Sequence, residues 1–176
     1  MKLNLGAGGT RIDGFASVDV DSQFEQDLVG DFRRMQFSGV EEIYASHILE
    51  HFFYGEAEQI LRLWAGWLKP GGILWIAVPA FVEIVHLYAA GEISPHLLGL
   101  LYGADAKPEW AHHSGWTEAH LISVLEGAGF AVLGKFESFV KNAAQNGADW
   151  SGAWHRTAGG GIVQLSLNLK ARRVPS

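Results

Sequence analysis

Glycines and aspartates near the amino end are spaced so that they could hold a ligand. Leu3–Leu5 is a short apolar run that stops at Gly6-Ala7-Gly8-Gly9, which predicts a buried strand followed by a tight turn. A strand that ends in Gly-x-Gly lets a ligand approach the backbone closely, with amides directed toward it. Asp19 lies near the end of the next predicted strand, Phe15–Val20. In a doubly wound sheet its carboxylate could accept hydrogen bonds from two ribose hydroxyls.

Two common phosphate-binding motifs do not fit this segment. A dinucleotide site uses Gly-x-Gly-x-x-Gly with an acidic residue about 20 positions further on, but position 11 is Arg11 and the first crossover is too short for a full helix. A phosphate loop also fails, because no Gly-Lys-Ser/Thr follows. Taken alone, Gly6–Gly9 is equally consistent with a plain tight turn, and Asp19 and Asp21 with solvated turn residues.

A second group of chemically capable residues follows the predicted strand Glu42–Ser46. His47-Ile48-Leu49-Glu50-His51 matches His-x-x-Glu-His, which on a helix would place two zinc ligands on one face beside a general base. No third ligand is singled out among the distant acids, so the zinc hydrolase is an alternative and we expect no bound metal. At the carboxyl ends of the strands, His47 or His51 could instead deprotonate a hydroxyl acceptor. His51 could equally serve to orient a loop.

A third group lies in a predicted loop from Lys107 to Gly115 and just beyond it. It combines indole and imidazole rings, which suit either a pocket for a planar acceptor or a packed lid. His113 from this loop joins His47 and His51 as a candidate general base. The members of this group are Trp110, His112, His113 and Trp116, and a later loop adds Trp150, Trp154 and His155.

The remaining pattern predicts the elements that position these residues. Strands and helices alternate through the first two-thirds of the chain, which predicts a parallel sheet with helices on both faces. The two strands at the end predict an antiparallel edge hairpin. We therefore expect one domain over residues 1–176, an α/β fold with a doubly wound, mostly parallel seven-stranded sheet. The further predicted elements are strands Asp27–Val29, Ile73–Val78, Phe130–Phe139 and Gly161–Ala171, helix Glu56–Lys69, one or two helices in Phe81–Gly103 broken near Gly91 and Pro95, and helix Glu118–Ala128 capped by Thr117.

Composition narrows the classes of partner. The chain has no cysteine, which excludes a disulfide framework, a thiolate zinc site and a cysteine nucleophile. The formal net charge is −6 and the basic residues are scattered, so we expect no nucleic-acid partner. No apolar run approaches the roughly 20 residues that span a bilayer, so we expect no membrane association and a cytoplasmic location. The oligomeric state is left open.

Taken together and in order, these segments resemble the class I, Rossmann-like methyltransferases that depend on S-adenosylmethionine. The resemblance is to the compact bacterial group related to ubiquinone-biosynthesis methyltransferases. It covers roughly residues 3–79 and, more weakly, Gly115–Phe130. The matching pieces are Leu3–Gly8, Ser17–Val20, Gly30-Asp31-Phe32, Ile43–His51 and Leu68–Leu74.

The resemblance implies S-adenosylmethionine as cofactor and methyl transfer to oxygen or nitrogen of a small-molecule acceptor. It implies that Asp19 holds the ribose, that Asp31 meets the adenine amino group, and that the segment after Ser46 lines the methionine end. Asn4 departs from the family, because many members carry an acidic residue there. A cofactor-binding module without transfer activity is a further alternative, and the acceptor is not determined. The implied cofactor-binding set is Asn4, Gly6, Ala7, Gly8, Asp19, Asp31, Ser46 and His47.

Overall fold

The fold is built around one large sheet. The computed structural model describes residues 1–92, 94–103, 110–139 and 149–175. Seven strands pair in the order β3-β2-β1-β4-β5-β9-β6, with parallel pairing from β3 through β5 and β9 antiparallel to both β5 and β6. This arrangement confirms the predicted fold class. The strands are β1 (Lys2–Leu5), β2 (Ala16–Asp19), β3 (Leu28–Val29), β4 (Val40–Ser46), β5 (Leu68–Pro79), β6 (Phe130–Lys135), β7 (Trp154–Arg156), β8 (Ile162–Gln164) and β9 (Ser166–Arg173).

The helices are α1 (Tyr54–Trp67), α2 (Phe81–Ala89), α3 (Pro95–Tyr102) and α4 (Glu118–Gly127). The predicted break between α2 and α3 is confirmed. The predicted cap is confirmed as well, since Thr117 Oγ1 accepts a hydrogen bond from His120 N at 3.2 Å, satisfying an amide that the first turn leaves unpaired. In the described ranges no helix is long and apolar enough to cross a membrane.

Helical segments pack on both faces of the sheet. Along β4, Ile43 and Ala45 share the buried core with α1 and α4, while the intervening Tyr44 points to the opposite face, as strand alternation requires. There Tyr44 contacts Phe139 with ring centroids 5.1 Å apart, and the short 3₁₀ turn Trp150–Gly152 packs nearby on β5 and β9. Among the described residues, aromatic rings and a single turn of helix cover the second face around Tyr44.

The carboxyl-terminal third differs from the sequence prediction in two places. The strand predicted over Phe130–Phe139 ends at Lys135, because the aromatic residues beyond it fold across the sheet. The strand predicted over Gly161–Ala171 is interrupted at Leu165, which is fully buried. Leu165 donates to Ala153 O and accepts from Ala80 N, each at 2.9 Å, and so anchors the turn between two sheets. Before it, β8 pairs with β7 in a separate two-stranded ribbon.

The first crossover brings the predicted ligand-binding residues to one edge. No helix separates β1 from β2 in the described chain, so the connection is a short loop, as predicted. Leu5 pairs with Val18 on one side and Ala45 on the other. The residues that follow these strands, including Gly6, Asp19 and Ser46, therefore meet at the carboxyl edge of the sheet, where open α/β sheets bind ligands.

Candidate active site

One cleft of about 850 Å³ opens at the carboxyl edge of the sheet. Its walls come from the loop after β1, the ends of β2 and β4, helix α3, and the segments around residues 110–113 and 149–150. All the residues that the sequence analysis assigned to the cofactor or to base catalysis line it. They are Asn4, Gly6, Ala7, Gly8, Asp19, Asp31, Ser46, His47, His51 and His113.

The glycine loop uses its glycines for two different purposes. Gly6 has φ 59° and Gly8 has φ 50°, a region that side chains disfavour. A Cβ on Gly6 would lie 2.6 Å from Ile48 Cδ1, whereas a Cβ on Gly8 would meet nothing within 4 Å. Gly6 therefore permits close packing beneath the loop, and Gly8 exposes backbone to the open cleft.

Asp19 is fixed at the cleft by its own neighbourhood. Its Oδ2 accepts a hydrogen bond from Gly8 N at 2.8 Å and its Oδ1 accepts one from Asp21 N at 2.8 Å. The side chain remains half-buried, and each carboxylate oxygen can accept a further hydrogen bond. The carboxylate is therefore held in place and still able to accept bonds from two ligand hydroxyls.

Asp31 is held in a similar way by Arg33. The Arg33 guanidinium donates from Nε to Asp31 Oδ1 at 2.9 Å and from its terminal nitrogen to Oδ2 at 2.8 Å. The side-chain hydrogen bonds from Arg33 hold the pKa of Asp31 below its usual range. Asp31 is thus an ionised hydrogen-bond acceptor at the cleft wall, stabilised by charge-assisted bonds.

The sequence analysis missed a buried carboxylate at the floor of the cleft. Asp149 is 3% exposed, and it accepts hydrogen bonds from Tyr44 Oη and Ser46 Oγ, both at 2.6 Å. Burial, and then the charge of Asp149, raises the pKa of Tyr44 far above its ordinary value, so the phenol remains a donor. Tyr44 pairs with Asn4 across β1 and β4. The Asp149 carboxylate is therefore held over the same face of the sheet that the Asn4 side chain occupies.

His47 is placed in the cleft wall, but its ring is already engaged. It has φ 52°, and in the described ranges it is the one non-glycine residue with positive φ. Its side chain is 7% exposed, with Nδ1 3.3 Å from Glu50 Oε1 and Nε2 2.9 Å from Ser166 Oγ. The contact with Ser166 links the end of β4 to β9. They leave His47 poorly placed to take a proton from an acceptor.

The His-x-x-Glu-His segment does not form the helix that the zinc hydrolase requires. Only Leu49–His51 is helical, as one 3₁₀ turn, so His47 and His51 do not share an α-helical face. Instead, the backbone carbonyl of Glu50 accepts hydrogen bonds from His113 N at 2.7 Å and Ser114 N at 3.1 Å. These two hydrogen bonds hold the segment that contains His112 and His113 against the cleft.

The Glu50 side chain is fully buried among histidines. Burial raises the pKa of the Glu50 carboxyl, but contact with His47 and the charges of the neighbouring imidazoles outweigh it and hold that pKa below its usual range. His112 Nε2 lies 3.9 Å from Glu50 Oε1, and burial lowers the pKa of His112. The sequence analysis placed His112 only in a general aromatic cluster.

The other aromatic residues that the sequence grouped with His112 lie partly in the cleft wall and partly in the core. Trp110 lines the cleft, whereas Trp116 is 1% exposed and packs in the core. His113 is exposed, and its ring stacks on Phe53 with centroids 4.5 Å apart. Part of the predicted loop, residues 107–109, lies outside the described residues.

Across from these rings, α3 contributes a histidine that the sequence analysis did not single out. His96 lines the cleft, 5.1 Å from the Trp150 ring. Burial, and then the charge of His155, lowers the pKa of His96. Aromatic and imidazole rings therefore enclose this end of the cleft from two sides.

Comparison with known proteins finds similar folds among solved structures. No protein-family model and no curated protein sequence matches the chain. Among solved structures, a methyltransferase from Methanosarcina mazei that depends on S-adenosylmethionine matches with TM-score 0.62 and 15% identity, over 99% of this chain and 92% of that one. The protein bound to the Trm112 methyltransferase activator of Haloferax volcanii matches with TM-score 0.59 and 18% identity, over 99% and 82%.

A third structure contains a ligand. The 1,6-didemethyltoxoflavin N1-methyltransferase of Burkholderia thailandensis, with bound 1,6-didemethyltoxoflavin and S-adenosylhomocysteine, matches with TM-score 0.58 and 14% identity, over 99% of this chain and 71% of that one. At such identities the likeness establishes architecture alone. The chain therefore has the fold of the class I methyltransferases that depend on S-adenosylmethionine.

Proposed function

We propose that this protein binds S-adenosylmethionine in the cleft and transfers its methyl group to oxygen or nitrogen of a small-molecule acceptor. One observation carries the proposal. A single cleft joins the glycine loop and its two aspartates, Asp19 and Asp31, to a wall of imidazole and indole rings. A methyltransferase needs both parts side by side, because cofactor and acceptor must meet in line with water excluded.

The nucleotide end of the cleft matches the cofactor group by group. Gly8 leaves open space beside the backbone, where the amino-acid part of the cofactor can approach. Asp19 is held so that both oxygens can accept from the ribose hydroxyls. Asp31 is the candidate acceptor for the adenine amino group, which would share the carboxylate with Arg33. These roles follow the family resemblance, and the geometry supports each of them.

The floor of the cleft suits the positive end of the cofactor. Asn4 occupies a position where many family members carry an acidic residue, and it donates from Nδ2 to Thr10 O at 3.0 Å. Asp149, tied to Ser46, supplies a carboxylate on the same sheet face. We propose that Asp149 provides the negative charge that Asn4 lacks, and so favours the ammonium and sulfonium groups.

The cofactor supplies an electrophilic methyl group, so the chain mainly positions the acceptor. Trp110 and Trp150 line the part of the cleft opposite the glycine loop and would hold a planar acceptor. His51 and His113 are the candidate bases for a protonated acceptor. His47 has both ring nitrogens in contact with other side chains, so we assign it a positioning role.

Two of the structural neighbours bear on partners. The Burkholderia enzyme binds a small heterocycle that is methylated at nitrogen, which supports a small-molecule acceptor here. The Haloferax neighbour is bound to a protein activator, so a protein partner is an outcome to test by pull-down. Membership of the compact bacterial group, a single domain over residues 1–176 and a cytoplasmic location are parts of the same proposal.

Calorimetric titration with S-adenosylmethionine, S-adenosylhomocysteine and NAD⁺ tests the cofactor assignment. We expect the first two to bind and NAD⁺ not to bind, because the third glycine of a dinucleotide site is missing. Absence of binding by both sulfur compounds would overturn the proposal. A second assay follows S-adenosylhomocysteine release with panels of phenols, sugars and amines. Tight cofactor binding with no turnover across these panels would favour the non-catalytic module.

A further inference from the structure

We propose that Glu50, His51 and His112 form a binding site for a first-row divalent cation of the Zn²⁺ type. The sequence led us to expect no metal, and the folded chain gives a reason to revise that expectation. The site differs from the helical His-x-x-Glu-His pattern, because it uses His112 from a distant loop in place of His47. It does not depend on the proposed methyl transfer, and a metal-bound His51 would leave His113 as the candidate base.

The three side chains converge within the reach of one ion. One ligand atom from each lies within 4.8 Å of those of the other two. The distance from His112 Nε2 to Glu50 Oε1 is 3.9 Å, too long for a hydrogen bond. Two ligands of a tetrahedral zinc ion, each about 2.0–2.2 Å from it, lie about 3.3–3.6 Å apart, so a small side-chain adjustment would bring this pair to ligand separation.

The Glu50 carboxylate is buried beside His47 without a well-formed hydrogen bond. Its side chain is 0% exposed, and neither carboxylate oxygen has a hydrogen-bond partner of good geometry among the described residues. The nearest imidazole nitrogen is His47 Nδ1, at 3.3 Å from Oε1. A buried carboxylate without hydrogen bonds is costly, and it is normally paired or coordinated to a metal.

Both imidazoles are held in the tautomer that a metal ligand needs. His51 Nδ1 lies 3.1 Å from Ala111 O, and His112 Nδ1 lies 3.1 Å from Leu100 O. A carbonyl oxygen only accepts, so each Nδ1 carries the hydrogen and each Nε2 of a neutral ring keeps its lone pair. Metal-ligating histidines commonly donate their other ring nitrogen to a backbone carbonyl in this manner.

The donor set indicates the class of ion and its orientation. Two imidazoles and one carboxylate suit zinc and neighbouring first-row metals, and three protein ligands leave at least one position open. Because His51 and His112 both line the cleft, an open position would face it. An oxygen of an acceptor is the group that such a position would bind.

Zn²⁺ alone is the probe for the test. The full chain, stripped with a chelator, is titrated with Zn²⁺ in competition with a chromophoric chelator, without any cofactor present. We expect one tight site in the wild type. His112→Asn keeps a donor for Leu100 O and removes Nε2, and we expect it to weaken that site by at least about 100-fold, the upper range for loss of a supporting partner. Glu50→Gln should weaken it as well.

The matched control is His86→Asn, since His86 is exposed on α2, away from the cleft. It should leave the tight site unchanged. Circular dichroism and the melting temperature establish that each variant is folded, and His51→Asn replaces any variant that is not. Equal Zn²⁺ affinity in the wild type and folded His112→Asn, or no tight site in the wild type, would overturn the proposal.

Discussion

The two ends of the cleft are built from contacts of very different range. At the glycine-loop end, Gly8 and Asp19 are 11 residues apart in sequence, and Asp31 and Arg33 are 2 apart. At the histidine end, the hydrogen bond of His47 spans 119 residues and that of His51 spans 60. The first end is therefore local to the chain segment that forms it, whereas the second exists only after the whole sheet has assembled.

This difference has a consequence for how each end responds to change. At the glycine-loop end, substitutions should act through one turn or one hydrogen bond, so their effects should be separable. At the histidine end, Glu50 contacts the loop after α3 through its backbone carbonyl and His47 through its side chain. Substitutions there should couple to each other. The predictions below test this contrast, beginning with the largest expected effect.

Substitution of Gly6 by alanine should lower the free energy of unfolding by about 3 kcal/mol, combining positive-φ strain with overpacking. The packing part arises because the new Cβ would lie 2.6 Å from Ile48 Cδ1. Urea denaturation measures the change. Gly8→Ala is the matched control, with φ 50° and open space around the Cβ, and it should cost only about 1 kcal/mol. Equal losses in the two variants would contradict the packing role of Gly6.

Substitution of Asp19 by alanine should weaken the binding of S-adenosylhomocysteine by about 100-fold, or about 2.7 kcal/mol. Two ribose hydrogen bonds would be lost, and the amides of Gly8 and Asp21 would lose the carboxylate that holds them. Calorimetry gives the affinity directly. The charge control is Asp13→Ala, because Asp13 is exposed and outside the cleft. An affinity unchanged in Asp19→Ala would remove the ribose assignment.

The same contrast in range explains what the sequence could and could not predict. The turn at Gly6–Gly9 and the position of Asp19 follow from local pattern, since alternating elements bring strand ends to one edge. The capped helix after Thr117 was likewise readable from its residues. Nothing local to Asp149 indicates that Tyr44 and Ser46 are its partners, more than 100 residues away.

Two further features of the structure could not be predicted from the sequence for the same reason. The convergence of His112 on Glu50 depends on the hydrogen bonds that hold residues 112–114 against Tyr102 and Glu50. The interruption at Leu165 depends on the separate ribbon formed by β7 and β8, since the alternation from Gly161 to Ala171 is continuous in sequence. Hydrophobic periodicity predicts which face of its element a residue occupies. It does not predict which residue from a distant part of the chain will contact that residue.

Substitution of Tyr44 by phenylalanine tests the long-range network at the cleft floor. Its Oη donates to the buried Asp149 carboxylate at 2.6 Å, and a hydrogen bond to a charged group contributes about 2 kcal/mol. We expect that loss in the free energy of unfolding, together with weaker cofactor binding, because Asp149 would be less firmly held. Tyr54→Phe is the control, since Tyr54 Oη is exposed and donates to the neutral Gly115 O at 2.6 Å. It should cost about 1 kcal/mol or less and leave cofactor binding unchanged.

The smallest expected effect is on the pH dependence of stability, to which His96 should contribute and Asp31 should not. Burial, and then the charge of His155, holds the pKa of His96 below its ordinary value, which is about 6.5 for histidine. At pH values between the lowered pKa of the folded chain and the ordinary pKa of the unfolded chain, the unfolded chain binds more protons at His96 than the folded chain does. Stability therefore falls as the pH drops below about 6.5, and the contribution of His96 is fully present above it.

His96→Gln should accordingly flatten the fall in melting temperature between about pH 7 and pH 5, relative to the wild type. His96 is an exposed residue, so solvent screening should limit the difference to about 1 °C. His86→Gln, at an exposed site on α2, controls for loss of a histidine. Asp31 should contribute nothing in this range, because Arg33 lowers its pKa and it stays ionised throughout. A wild-type slope retained in His96→Gln would assign the acid sensitivity to other groups.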